Sequence, residues 1–261
     1  MRRRERAAAP PAHDLPRLYD GYTRWKGWQG EFEAGDRDAR YFAAELDGID
    51  LSGKRVLEIG FGNGNFLAWA RSRNAEVIGT EIIDALVAQA CNKGYDARAA
   101  SLLTLLASGQ QFDLVVAFDV FEHWPKDELV ANLRLLHTLL ARDGLLLARF
   151  PNGHSPFGRV YQHGDLTHVT ALSSSSIAQL ALMTGFSVER LGNARRVPAR
   201  RGLWTVLKHH WRRFRRARIE IALGKLYGFG RLPLDPNLSA LLRKVDKVRG
   251  IEPPTRKEMT Q

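Results

Sequence analysis

The sequence predicts an α/β fold: a mostly parallel sheet of six or seven strands with helices on both faces, plus a basic helical segment after the sixth strand. Three observations predict it. Short runs rich in Val, Ile and Leu alternate with stretches of helical period, and parallel strands need long crossovers whose helices cover both faces of the sheet. The first run ends in a glycine-rich turn, Gly60-Phe61-Gly62-Asn63-Gly64, placed where ligands bind, at the carboxyl end of a strand. At 261 residues the chain can bury a sizeable core in one main domain.

The elements follow in order. Residues 1–14, basic and rich in Ala and Pro, read as a disordered leader without the apolar stretch of a signal peptide. Residues 15–50 read as helical, because Tyr19, Tyr22, Trp25 and Trp28 recur every three residues, a stripe whose ordinary meaning is packing. The core spans 51–194, with strands at 55–59, 76–80, 96–99, 112–118, 145–150 and 186–190. Helices at 66–72, 84–93, 102–107, 126–141 and 174–184 separate them. A basic amphipathic segment occupies 195–234, residues 235–248 form a C-terminal helix capped by Asp235-Pro236, and 249–261 are a disordered tail.

Composition narrows the classes. The lone cysteine, Cys91, can form no internal disulfide, which fits a reducing compartment. No run approaches the roughly 18 to 20 apolar residues of a spanning helix, so the expected location is the cytoplasm. The net charge of +11 is local: ten Lys and Arg residues and no acid lie between Arg195 and Arg218, which leaves the rest of the chain near neutrality.

The spacing G-x-G-x-G differs from the G-x-G-x-x-G of dinucleotide sites, whose third glycine packs helix against strand around a pyrophosphate. A nucleoside without phosphates fits better. Glu81 ends the second strand about twenty residues after the first glycine, where an acid can take both hydroxyls of a ribose.

Together these residues resemble the class I S-adenosylmethionine-dependent methyltransferases, in particular the bacterial group acting on small molecules, lipids and glycans. The motifs run in order: KRVLEIGFGNGNF, GTE, ASL at 100–102, FDLVVAFDVFEHW, LLARFPNG and GDLTHVTALS. The resemblance implies a Rossmann-like fold with S-adenosylmethionine as cofactor. By it, Glu58, Gly60, Gly62 and Gly64 shape the methionine end of the pocket, Glu81 with its neighbour Ile82 the ribose, Ser101 and Leu102 the adenine rim, and Asp119 the methionine amino group. An N-terminal helix often closes over the cofactor in this group, and Tyr22 and Lys26 are the candidates for such a lid. One departure stands out, since Ala100 and Ser101 occupy a loop that often carries an acid for the adenine amine.

Methyl transfer to a hydroxyl benefits from a base, and histidine suits neutral pH. His123, His163 and His168 compete for that role, with Glu122 beside His123. The alternative for His123 is a packing residue that fixes the loop, and for His168 a polar residue at a helix entry bonded to a loop carbonyl. Asp165 could pair with a histidine or join Glu122 on a divalent cation, but ligation needs convergence that sequence cannot show; the expected metal set is therefore empty.

Placed on a helix, Leu203, Leu207, Trp211 and Phe214 line one side of the basic segment, and Arg201, Lys208, Arg212, Arg215 and Arg216 the other. Such a helix suits the boundary between anionic headgroups and acyl chains; docking on the sheet and RNA binding are the alternatives. The leading expectation is O-methylation of a lipid-linked or cell-surface glycan precursor, or of a lipid headgroup, at the inner membrane face. An RNA methyltransferase and a non-catalytic S-adenosylmethionine-binding module are the other readings. A nicotinamide oxidoreductase is disfavoured by the glycine spacing and by the absence of a Tyr-x-x-x-Lys pair after the fourth strand.

Overall fold

The computed structural model describes residues 19, 21–198 and 202–245. The leader at 1–14 and the tail at 249–261 lie outside them, as does Arg201 of the basic segment.

The chain opens with two helices, α1 (Tyr22–Lys26) and α2 (Asp36–Glu45). Strands and helices then alternate: β1 (Arg55–Ile59), α3 (Asn65–Ser72), β2 (Glu76–Thr80), α4 (Asp84–Asn92), β3 (Asp96–Arg98), α5 (Leu102–Ala107) and β4 (Phe112–Phe118). A 3-10 turn at Phe121–His123 leads to α6 (Lys126–Leu139) and β5 (Leu140–Pro151). Next come α7 (Arg159–Gly164), α8 (Ser174–Thr184), β6 (Phe186–Asn193), α9 (Leu203–Tyr227) and β7 (Asn237–Lys244).

Seven strands form one sheet in the order β3-β2-β1-β4-β5-β7-β6. Strands β1 to β5 pair in parallel, and β7 inserts antiparallel between β5 and β6. Neighbouring strand residues point to opposite faces, and both faces are covered. Leu57 and Val115 join one cluster with Leu133 and Leu136 of α6, whereas Val56 and Leu114 join another with Phe42 of α2 and Phe66 of α3. The strand order reverses between β1 and β4, so their carboxyl ends frame a crevice.

The expected C-terminal helix at 235–248 is a strand where it is described. Leu238, Ala240 and Leu242 alternate as buried positions between two antiparallel partners, and the sheet hydrogen bonds gained there outweigh the apparent cap at Asp235. The fold's sheet therefore extends past the expected 51–194 core. The N-terminal region also differs from one continuous helix. Gly27 ends α1 in the left-handed conformation (φ 67°), and α2 packs on the sheet through Phe42 as part of the core.

Helix α9 spans 25 residues, roughly 37 Å at 1.5 Å per residue. Its buried positions are Glu220 and Gly224 alone. Glu220 accepts hydrogen bonds from Asn193 Nδ2, from Arg231 Nε and Nη2, and from the backbone of Leu234. Gly224 lets the backbone of Gly230 approach so closely that no Cβ would fit. Leu203, Leu207, Trp211 and Phe214 are at least half exposed, so the apolar stripe is not docked on the sheet. Among the described residues no helix is long and apolar enough to cross a membrane.

Candidate active site

The crevice begins at the glycine turn. Gly60, Gly62 and Gly64 all have positive φ, at 65°, 51° and 76°, a region that costs other residues. A Cβ at Gly62 would come within 2.9 Å of the Trp28 ring, and one at Gly64 within 2.2 Å of Phe32. The side chains are missing here partly so that the N-terminal segment can lie over the turn. Asn63 fixes that segment: its Oδ1 accepts from the backbone N–H groups of Gln29, Gly30 and Glu31.

Two acids stand at this turn. Glu81 Oε2 accepts from Gly62 N at 3.0 Å, and Oε1 accepts from Ile82 N at 2.8 Å and Ile83 N. Burial raises its pKa and the three N–H groups oppose the rise. Glu58, at the end of β1, is buried with Oε2 unpartnered. Burial, then the nearby Glu81 charge, pushes its pKa well above the usual carboxylate range. Ile82 is 67% exposed beside Glu81. Ser101 caps α5, its hydroxyl accepting from Thr104 N at 3.2 Å, and Leu102 begins that helix and packs on the core.

Asp119 follows β4 with φ 57°, a strained conformation for a residue with a Cβ. Both its oxygens accept from Arg149 of β5. The sequence alone does not single out Arg149, whose one signal is its place in the motif LLARFPNG.

Across the crevice lies a cluster drawn from three segments. Tyr22 Oη donates to Asp165 Oδ2 at 2.8 Å, and Lys26 Nζ pairs with the same oxygen at 3.0 Å. The lid candidates thus reach the loop after α7, 143 residues away in sequence. Thr167 donates to Asp165 Oδ1 through both its backbone N–H and its hydroxyl. Burial alone would raise the Asp165 pKa, but the bonds from Thr167, Tyr22 and Lys26 outweigh it and hold the carboxyl below its ordinary range.

His123, His168 and Glu122 converge beside this strap. The two imidazole rings meet edge to face, 4.6 Å between centroids. Tyr19 Oη lies 3.3 Å from His123 Nδ1. Burial, then the His168 charge, lowers the His123 pKa to about 4, and burial lowers that of His168. Both rings are therefore neutral at physiological pH. Glu122 is fully buried, and neither carboxylate oxygen has a hydrogen-bond partner. Burial, then Asp119, pushes its pKa well above the usual range. His168 Nε2 stands 3.9 Å from Oε1; a buried acid without a hydrogen-bond partner is costly, and such groups concentrate at functional sites.

A cavity of about 580 Å³ opens on the other side of Arg149. Arg37, Arg149, Arg196, Lys208, Arg212 and Arg216 line it, against the acids Asp38 and Asp235. Residues of α9 line it together with Arg149, whose guanidinium holds Asp119.

The fold is shared with known proteins. A family model described as a methyltransferase domain matches residues 33–191. Among solved structures, an S-adenosylmethionine-dependent methyltransferase from Archaeoglobus fulgidus is 17% identical with a TM-score of 0.59, over 88% of this chain and 100% of that one. Magnesium protoporphyrin IX methyltransferase from Synechocystis, with bound S-adenosylmethionine, is 17% identical at a TM-score of 0.53, over 92% and 100%. A Burkholderia thailandensis 1,6-didemethyltoxoflavin N1-methyltransferase is 15% identical at 0.54, over 93% and 94%. None of the curated proteins matches the sequence. With the family model covering more than half of its length, this chain belongs to the methyltransferase-domain family and is a methyltransferase built on the class I, Rossmann-like fold.

Proposed function

We propose that the protein is an S-adenosylmethionine-dependent O-methyltransferase whose acceptor is a phosphorylated amphiphile, a lipid-linked glycan precursor or a lipid headgroup, met at an anionic membrane surface. The residues present fit the cofactor. The glycine turn offers close backbone approach, Glu81 is fixed at the crevice rim by three N–H groups, and Glu58 keeps an unpartnered oxygen aimed from β1. In this reading Glu81 holds the ribose with Ile82 beside it, and Ser101 and Leu102 border the adenine through backbone groups, since the Ser101 hydroxyl already caps α5. Asp119, oriented by Arg149, faces the methionine amino group. Tyr22 and Lys26 hold the N-terminal segment closed through Asp165. When bound, the cofactor supplies a methyl group already activated by its sulfonium, so the protein's task is alignment and proton removal. The acceptor hydroxyl loses its proton at the Glu122, His123 and His168 cluster, whose imidazoles are neutral.

The observation that carries the acceptor class is the basic cavity between α9 and Arg149. Its guanidinium and ammonium groups are of the kind that hold phosphate, and the same helix leaves Trp204, Trp211 and Phe214 more than half exposed. Basic and aromatic surfaces on one helix suit an interface between headgroups and acyl chains.

The test incubates the protein with labelled S-adenosylmethionine and with lipid, glycan-lipid and RNA fractions, beside cosedimentation with anionic and neutral vesicles. Label in a lipid fraction and binding to anionic vesicles are expected. Replacing Trp211 and Phe214 by Ser should weaken vesicle binding even at low salt, whereas replacing Arg212, Arg213, Arg215 and Arg216 by Gln should remove the preference for anionic lipid. Label in RNA, with loss of RNA binding on the arginine change alone, would replace the acceptor class.

A further inference from the structure

We infer that Glu122, His123 and His168 form a site for one divalent first-row transition ion, with Zn²⁺ the best match. Each residue offers a ligand atom, and these atoms all lie within 4.8 Å of one another. Ligands about 2.1 Å from a common ion stand about 3 to 4 Å apart, so the set closes onto an ion with side-chain movements of about an ångström. Two imidazoles and one carboxylate are a donor set for Zn²⁺ and its neighbours rather than for Mg²⁺ or Ca²⁺, which prefer oxygen.

Three features of the fold make this a built site rather than a chance grouping. Glu122 is fully buried with both oxygens unpartnered, and His168 Nδ1 is likewise buried without a partner. A bound dication answers the desolvation cost that an unpaired carboxylate leaves standing. The backbone around the ligands is also fixed, because the carbonyl of Glu122 accepts from Val169 N and Thr170 N, tying the turn after β4 to the loop that carries His168. Finally, outer partners are in place. Tyr19 Oη stands 3.3 Å from His123 Nδ1. Asp165 Oδ2 stands 3.6 Å from His168 Nε2 but already takes Tyr22 and Lys26, which casts it as an orienting group and not a fourth ligand. Groups of this kind set the tautomer and direction of metal-bound histidines.

Three protein ligands leave further positions for water or for oxygens of the acceptor, the pattern of catalytic rather than structural zinc sites. That role rests on the O-methyltransfer reading, whereas ion binding itself does not. The ion would lower the pKa of an acceptor hydroxyl, and His123 and His168 would then serve as ligands and not as the base.

Calorimetry on the metal-stripped full chain, without S-adenosylmethionine, separates the two questions. Zn²⁺ should bind with one-to-one stoichiometry, and Mg²⁺ should not compete. Glu122→Gln and His168→Ala should each weaken Zn²⁺ by more than the about 10-fold to 100-fold that loss of an outer partner costs. Thermal melts of both variants report whether they fold, and Co²⁺ added to the parent should give visible ligand-field bands that Glu122→Gln abolishes. His209→Ala with His210→Ala, on α9, should leave the tight site intact. The inference is overturned by absence of one-to-one Zn²⁺ binding, or by binding that survives Glu122→Gln in a folded protein. Methyl transfer that persists after chelation, with no Zn²⁺ bound, would overturn the ion's catalytic role while keeping the methyltransferase reading.

Discussion

Two fully buried glutamates sit in opposite circumstances. Glu45, at the end of α2, is saturated: Oε2 accepts from Arg190 Nη2 at 2.7 Å and Ser239 Oγ at 2.7 Å, and Oε1 accepts from Arg195 N at 2.6 Å. These bonds join the N-terminal region to β6, to β7 and to the start of the basic segment. Glu122 is equally hidden from solvent and accepts none. The first acid is held by the fold; the second is held ready by it. The difference separates a buried acid that stabilises from one the protein tolerates for chemistry, since a buried acid without a hydrogen-bond partner persists only where something else selects for it.

Breaking the saturated acid should have the largest effect. Glu45→Ala strands the Arg190 guanidinium and Ser239, and removal of one partner of a buried pair costs about 3 to 5 kcal/mol. At roughly 2 to 4 °C per kcal/mol for a chain of this size, a melt should show a fall of at least about 6 °C. A variant melting within a degree or two of the parent would mean that Glu45 is as dispensable to folding as Glu122.

The ligand-holding acid at the glycine turn should give a loss of cofactor affinity, with a smaller loss of stability from the three backbone N–H groups it leaves unpaired. Glu81→Ala removes the proposed contact to two hydroxyls, and hydrogen bonds to a charged group are worth about 1.5 to 3 kcal/mol each. Calorimetry should show S-adenosylmethionine affinity reduced at least about tenfold. Unchanged affinity would remove Glu81 from the ribose site.

The pH dependence sharpens the comparison on the histidine side. His123 has a folded pKa near 4, below its ordinary value of about 6.5, so between those values the unfolded chain binds a proton that the folded chain refuses. Its contribution to stability is therefore complete above about pH 6.5 and is lost as pH falls towards about 4. His168 acts in the same direction, whereas Glu58 and Glu122, with raised values, act in the opposite one. Subtracting the melts of His123→Asn from those of the parent cancels the other groups. The parent should lose more stability than the variant between pH 6.5 and 4; parallel curves would place a solvated histidine at 123.

Much of the fold was legible because parallel strands are buried on both faces and bounded by helices. The runs at 55–59, 76–80 and 112–118 coincide with β1, β2 and β4, and the glycine turn lies where its strand ends. Strand β7 was read as a helix for a physical reason: Leu238, Leu241 and Leu242 satisfy a helical spacing, and a strand covered on both faces shows no clean alternation. Its partners, β5 and β6, lie 86 or more and 44 or more residues upstream, and no local signal reveals such pairing. The site was legible as residue types. Glu122, His123, Asp119 and Glu81 came from motifs, but the strap from Tyr22 and Lys26 to Asp165, the pairing of Arg149 with Asp119, and the convergence of His168 on Glu122 are long-range contacts. The basic segment was legible as an amphipathic helix, although only the structure shows that its apolar side is uncovered and that its basic side closes a cavity against Arg149.

The most direct test of the contrast between the two acids is a paired measurement on Glu122→Gln, thermal melt and S-adenosylhomocysteine release with an accepted substrate. The amide keeps the shape and removes a buried carboxyl group that has no hydrogen-bond partner. The account predicts a melting temperature equal to or above that of the parent, with turnover lower by about 10²-fold or more, the scale of a lost proton-transfer group. A lower melting temperature with turnover preserved would show that Glu122 serves the fold, as Glu45 does, and would contradict the account at its centre.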